Sequence, residues 1–379
     1  MKSGIYIHIP FCQSRCIYCG FYSSTHKEMR RQYVDALLKE MSMRKNTKLG
    51  VSHGLDASCY TDTIYIGGGT PSTLPVKEIE RILNGIRDNY PGEPREVTME
   101  MNPDDIDKAL ISAIKTMGVN RISMGIQTFS DNRLHFLRRR HSAEQAIKAV
   151  DTVRHCGIDN VSIDLMFGFP NETIDEWTSD IKQALSLEPS HISAYCLMYE
   201  EGTPLYHMLQ KGKVKQIDDE IYLAMYTILM DQLTAKGYEH YEISNFARKG
   251  YRSIHNSSYW NDTPYLGFGA SAHSYLIDTR CWNVADIKEY IESITNDRLP
   301  QTCEIIDQDT HYNDLITTAL RTHEGLDLNI LSPEYKRFAI ECADPIIHNG
   351  LLEIDKTHIR LTRKGLFVSD MVMSDMMKV

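Results

Sequence analysis

The run Cys12-Gln13-Ser14-Arg15-Cys16-Ile17-Tyr18-Cys19 places three thiols within eight residues, spaced C-x3-C-x2-C and directly following the apolar stretch Ile5-Tyr6-Ile7-His8-Ile9. Thiolates this close repel one another, so such a run is normally neutralised by a metal, an iron-sulfur cluster or a disulfide. No fourth cysteine lies nearby. A closed structural zinc site takes four ligands, whereas three thiolates on a four-iron cluster leave one iron open to another ligand. A second candidate is the turn Gly67-Gly68-Gly69-Thr70-Pro71-Ser72. Consecutive glycines let backbone groups approach a small polar ligand that a side chain would block, although the same run also serves as a plain permissive turn.

These groups need elements to hold them. Residues 5–9 alternate poorly and read as a strand buried on both faces, and residues 28–44 follow with helical spacing of Val34, Leu37, Leu38 and Met41. The pattern recurs as strands at 63–66, 96–101, 121–125, 160–166 and 191–197, with helices expected at 76–87, 106–115, across 131–155 and at 174–187. Six strands alternating with helices predict the α/β class, a parallel sheet curled into a partial (β/α)6 barrel by right-handed crossovers. The residues with chemistry fall at strand C-terminal ends, where loops of such folds converge on one mouth.

After residue 204 the alternation weakens. Residues 218–236 read as an amphipathic helix and 238–246 as a further strand. His255-Asn256-Ser257-Ser258-Tyr259-Trp260 and the run 267–273 read as loops by composition. From about residue 310, helices precede a hairpin at 351–354 and 359–362, a smaller C-terminal helical or winged domain. The expected division is 1–236 for the partial barrel, 237–305 for an extension and 306–379 for the C-terminal domain.

The composition, 42% hydrophobic and 24% charged over 379 residues, is that of a soluble globular protein. A net charge of −10 argues against a general nucleic-acid binder, and Arg138-Arg139-Arg140 is the one tight basic cluster. No apolar run approaches the ~18 residues of a membrane span, and the first strand starts too early for a secretory signal. The expected location is cytoplasmic. Six further cysteines (Cys59, Cys156, Cys196, Cys281, Cys303, Cys342) are scattered, consistent with a reducing compartment and a metal-type role for the first three.

Together, the cysteine motif and the glycine turn one strand later resemble the radical SAM superfamily. That resemblance implies a [4Fe-4S] cluster on Cys12, Cys16 and Cys19, with S-adenosylmethionine (SAM) on the remaining iron. Further motifs, Glu100-Met101-Asn102-Pro103, Gly125-Ile126-Gln127, Leu137-Arg138-Arg139 and Asp164-Leu165-Met166-Phe167-Gly168-Phe169-Pro170, are similar to the group containing oxygen-independent coproporphyrinogen III oxidase. The match implies that Tyr6, Tyr18, Gly67, Gly68, Gly69, Thr70, Glu100, Gln127, Arg139 and Asp164 line the SAM pocket. Carboxylates suit the ribose hydroxyls and ammonium, and arginine suits a carboxylate.

One departure separates two branches. The oxidase carries a fourth cysteine two residues after the third, where this chain has Phe21, and it has a longer N-terminal stretch. These differences, with the H-N-x-x-Y-W run at 255–260, resemble the radical SAM heme chaperone family. The resemblance implies heme as a third ligand, with His255 as a candidate for its iron and Tyr259 and Trp260 as aromatic surface. His273 and Cys281 are further candidates, and His273 also matches a SAM-contacting position. The run Leu320-Arg321-Thr322-His323-Glu324-Gly325 resembles a C-terminal domain common to both branches, expected over the barrel mouth, against an acceptor, or as a stability domain.

The expected function is heme binding and transfer to acceptor proteins, membrane-associated ones included, with no catalytic residue assigned. The alternative is radical oxidative decarboxylation of coproporphyrinogen. Heme, the acceptors and an electron donor of unspecified identity are the expected partners, a second copy of the chain is allowed, and nucleic acid is not expected.

Overall fold

Apolar and polar residues alternate strictly along the first strand: Ile5, Ile7 and Ile9 are fully buried against helices, while Gly4, Tyr6 and His8 face the other way. The run read as poorly alternating therefore has a clean period of two. The same division holds along the next strands, where Ile64 and Ile66, Val97 and Met99, Ile122 and Met124, and Val161 and Ile163 join the core. Their neighbours Tyr65, Glu100, Ser123 and Asp164 face the concave side.

In this computed structural model, residues 1–49 and 57–378 are described. Six strands, β1 (Lys2–Ile9), β2 (Tyr60–Gly68), β3 (Gly92–Met101), β4 (Arg121–Gln127), β5 (Asn160–Phe167) and β6 (His191–Cys196), pair parallel in chain order. Between them run helices α1 (Arg30–Met43), α2 (Val76–Asn89), α3 (Lys108–Thr116), α4 (Asp131–Phe136), α5 (Ala143–His155) and α6 (Ile174–Ser186). Local sequence starts two of them by reciprocal capping boxes, Ser142 with Gln145 on α5 and Thr173 with Glu176 on α6. The longer helices turn an apolar stripe inward, as α2 does with Ile79, Ile82, Leu83 and Ile86.

Chain beyond residue 236 extends this sheet at both edges. After helix α7 (Asp219–Ala235), strands β7 (Tyr238–Glu242) and β8 (Asn245–Arg248) form an antiparallel pair beside β6, where one strand was expected. On the other side, β9 (Tyr265–Phe268) pairs parallel with β1 and leads to β10 (His273–Tyr275), β11 (Thr279–Asn283) and β12 (Gln301–Ile305). The loop reading of 267–273 is thus corrected: Gly267 and Phe268 are ladder residues. Gly267 has no Cβ because His273 backbone would lie 1.9 Å from one. The twelve strands run in the order β12-β11-β10-β9-β1-β2-β3-β4-β5-β6-β8-β7, an open series, so the barrel is partial.

The loop reading of 255–260 is corrected as well. Residues Ile254–Tyr259 form a short helix, α8, whose first turn is capped by the Ser253 hydroxyl. The carboxylate of Glu96, near the start of the parallel part of β3, accepts from the amides of Ile254 (2.8 Å) and His255 (3.0 Å). Helix α8 therefore closes the N-terminal end of the barrel. A second apolar core, including Tyr312, Ile316, Leu320, Leu326, Ile359 and Val372, holds the C-terminal helices and a three-stranded sheet in which Leu326–Asp327 joins the expected hairpin.

Candidate cofactor cavity at the strand ends

The C-terminal ends of β2 to β6 and the cysteine loop enclose one cavity of about 400 Å³. Cys12, Cys16 and Cys19 all line it. The loop that carries them is fixed at its start and in its middle. The Cys12 amide donates to the Ser24 carbonyl (2.9 Å) and the Ile17 amide to the Leu137 carbonyl (3.2 Å). The Ile17 side chain packs with Leu137, Met166, Phe169, Leu197 and Leu205 in a small apolar cluster. Thr70 donates to the Cys12 sulfur at 3.6 Å, and Arg139 to the Cys16 sulfur at 3.7 Å.

Burial raises the Cys12 thiol and pushes Cys19 up to about 11. Desolvation disfavours bare thiolates, and a cationic iron core supplies the compensating charge. Three thiols on one wall, with open volume beside them, fit the donor set of a cluster with one iron left free.

The glycine turn is dictated by the close approach of β1. Gly68 has φ +108°, and a Cβ there would meet the His8 ring at 2.7 Å; one on Gly69 would meet Ile9 and Phe11 backbone at 3.0 Å. The amides of this turn are engaged within the chain: Gly68 donates to Glu100 (3.0 Å), Gly69 to Ile9 (2.8 Å) and Thr70 to Phe11 (2.8 Å).

Two of the carboxylates that line the cavity, Glu100 and Asp164, stand at strand ends and are strongly buried. Glu100 accepts from the Tyr65 hydroxyl (2.7 Å) as well as from Gly68, yet burial pushes its carboxyl up to about 7. Asp164 is likewise raised to about 6 by burial, against the pull of Ser193, Arg121 and Arg139. Arg139 donates to the Asn102 side chain (2.8 Å) and the Gly125 carbonyl, which aims it inward between the carboxylates and Cys16. Gly125 leaves it room, since a Cβ there would fall 3.2 Å from the guanidinium. Gln127 is held at φ +72°, where the β4–β5 register shifts, a strained non-glycine position at the cavity wall.

Of the residues singled out from sequence, Tyr18, Gly68, Gly69, Thr70, Glu100, Gln127, Arg139 and Asp164 line this cavity with the three cysteines. Tyr6, Gly67, His255 and His273 do not. Tyr6 shares a 3.0 Å hydrogen bond with His8 behind the lining, and a Cβ on Gly67 would meet both Tyr65 and Glu100 within 2.9 Å. His255 lies below the cavity, 0% exposed, with Nδ1 bonded to Thr63 (2.8 Å) and Nε2 to Tyr259 (2.9 Å) and its ring stacked on Tyr65. Burial lowers it to about 3, so it is neutral. His273 is itself exposed at the start of the internal strand β10, stacked on Trp282.

Cys281 is unavailable as an iron ligand, because it is bonded to Cys303 across the β11–β12 pair. The run 320–325 docks on the edge strand β7, through Arg321 to Glu242 (2.9 Å) and the His323 amide to the Tyr241 carbonyl (3.0 Å). No residue of 306–378 lines the cavity, so the placement of this run over the mouth is corrected. Tyr65, Ser123 and Ser193 line the cavity and were missed, and alternation along β2, β4 and β6 was the signal that would have found them; Asn102, just past the end of β3, was missed as well.

Comparison with known proteins agrees with this geometry. A profile of the radical SAM superfamily matches residues 6–184. The heme chaperone HemW of Bacillus subtilis (strain 168) is 34% identical over 382 residues, covering 98% of each chain. That of Lactococcus lactis subsp. lactis (strain IL1403) is 31% identical over 96% of this chain and 94% of its own. Among solved structures, the radical SAM enzyme coproporphyrinogen III oxidase (HemN) from Escherichia coli superposes with a TM-score of 0.83 at 23% identity, over 100% of this chain and 90% of that one, a likeness of fold. Superfamily membership implies a [4Fe-4S] cluster and SAM. Near-complete mutual coverage at about a third identity carries the narrower conclusion that the chain belongs to the heme chaperone HemW family, within the radical SAM superfamily.

Proposed function

We propose that this protein holds a [4Fe-4S] cluster on Cys12, Cys16 and Cys19, binds SAM in the adjoining cavity, and carries heme to acceptor proteins. The observation that carries the reading is the convergence of all three thiols with Glu100, Arg139 and Asp164 on one cavity, in a chain matched end to end by heme chaperones. Cys12, Cys16 and Cys19 would hold the cluster, which would supply an iron free of protein thiolates to bind SAM. The chain's own part is to orient and balance charge. Glu100, fixed by Tyr65 and Gly68, and Asp164 face the cationic and hydroxyl groups of the ligand, while Arg139 offsets a carboxylate and the Cys16 thiolate. Tyr18 offers an aromatic face on the cysteine loop.

The fold likeness to HemN favours a second reading, oxidative decarboxylation of coproporphyrinogen. Phe21, where the resembling oxidases have a cysteine, speaks for the first. Acceptors and the electron donor enter as partners of the proposed transfer.

The test is anaerobic reconstitution followed by hemin titration. About four irons and four sulfides per chain and a shifted Soret band are expected. Cys16→Ala is expected to lose the charge-transfer absorbance, because two thiolates hold a cubane poorly; undiminished absorbance in that variant sinks the cluster assignment.

A further inference from the structure

We propose that heme docks on the rim of the cofactor cavity, against Phe21, Tyr195 and Met198, with Arg138 and Arg15 meeting its propionates, and not on His255. The inference rests on the heme-carrier reading above and assigns it a place. Large apolar side chains normally leave water, yet Phe21 is 72% exposed, Met198 61% and Tyr195 41%, and all three line the same cavity. Phe21 belongs to the cysteine loop itself, where exposure of a phenyl ring brings the fold no packing.

Charge complements this ledge. Within the basic triplet, Arg139 turns inward to Asn102 and Gly125, and Arg140 pairs with Asp104 and Asp105. The Arg138 guanidinium has no hydrogen bond or ion pair among the described residues, although it lines the cavity and its backbone is held at φ +61°. Arg15, also exposed, lines the same mouth. Free guanidinium groups beside an apolar ledge match a planar apolar macrocycle with carboxylates along one edge. Of the remaining carboxylates that line the cavity, Asp104 is paired with Arg140 and Glu200 packs against Gly20.

His255 offers no comparable site. It is fully buried, both ring nitrogens have partners, and no histidine lines the cavity. On the rim, Met198 and Tyr195 carry donor atoms that heme iron accepts. An exposed ledge also suits a carrier, because cargo held there is released without opening the barrel.

The test is hemin titration of the reconstituted full chain and of variants. The double change Phe21→Ala with Met198→Ala alters two exposed side chains and is expected to weaken hemin binding by about tenfold or more. Arg138→Gln is expected to weaken hemin by about fivefold and to leave binding of its dimethyl ester unchanged, because the ester lacks the anionic oxygens. Cluster absorbance and SAM binding persist in both. Unchanged hemin affinity in the double variant overturns the rim assignment while the heme-carrier reading stands. Loss of the Soret shift in His255→Gln, with cluster absorbance intact and the double variant unaffected, returns the iron to the imidazole. Absence of any Soret shift in the unmodified chain overturns both.

Discussion

Glu100 shows how far a single residue's role follows from its surroundings. Its carboxyl, raised to about 7, and that of Asp164, raised to about 6, both lie above their values in an unfolded chain. Their contribution to stability is therefore fully present below about pH 4, the unfolded carboxyl range, and is lost progressively as pH rises from there through the folded values of about 6 and about 7. Ligand binding has the opposite sign, because cationic SAM favours the ionised carboxylates. SAM affinity is expected to rise by up to about tenfold between pH 6 and 8 and then level off, with the upper part of the rise gone in Glu100→Gln. Equilibrium dialysis across this range checks it, and an identical profile in the variant contradicts the role. Glu100 and the thiols were readable because their types and spacing carry chemistry. His255 was read from sequence as a candidate heme ligand because an iron ligand and a satisfied core histidine have the same letter; the fold adds that Thr63 and Tyr259 stand on its two nitrogens.

At the scale of elements, the six strand-helix units were readable from periodicity, and the polar concave face was not drawn from the alternation that encodes it. Short helix α8 escaped because its composition is that of a turn, and its stabilising partner is distant in sequence. Glu96 accepts from Ile254, His255 and Ser253 while itself buried. Removing it leaves two amides without their acceptor at the closed end of the barrel. Glu96→Ala is expected to cost about 2–4 kcal/mol, read as a lowered urea midpoint with the slope unchanged. An unaltered midpoint would mean that α8 is held by packing alone.

On the scale of the whole molecule, sheet order could not be read along the chain, since β9 to β12 return to β1 across more than 250 residues while β7 and β8 join the opposite edge. The C-terminal core docks on that second edge, where Arg321 also covers the Trp260 ring at 5.1 Å. None of the described residues of this core lines the cavity, whereas Phe21 does. Among the described residues no helix is long and apolar enough to cross a membrane. The apolar, arginine-flanked rim proposed for heme is set on a fold shared with coproporphyrinogen III oxidase. The most direct test is anaerobic incubation of the reconstituted protein, under reducing conditions, with SAM and coproporphyrinogen. No protoporphyrinogen above background is expected from protein that binds hemin; formation of protoporphyrinogen at a catalytic rate would overturn the heme-carrier reading.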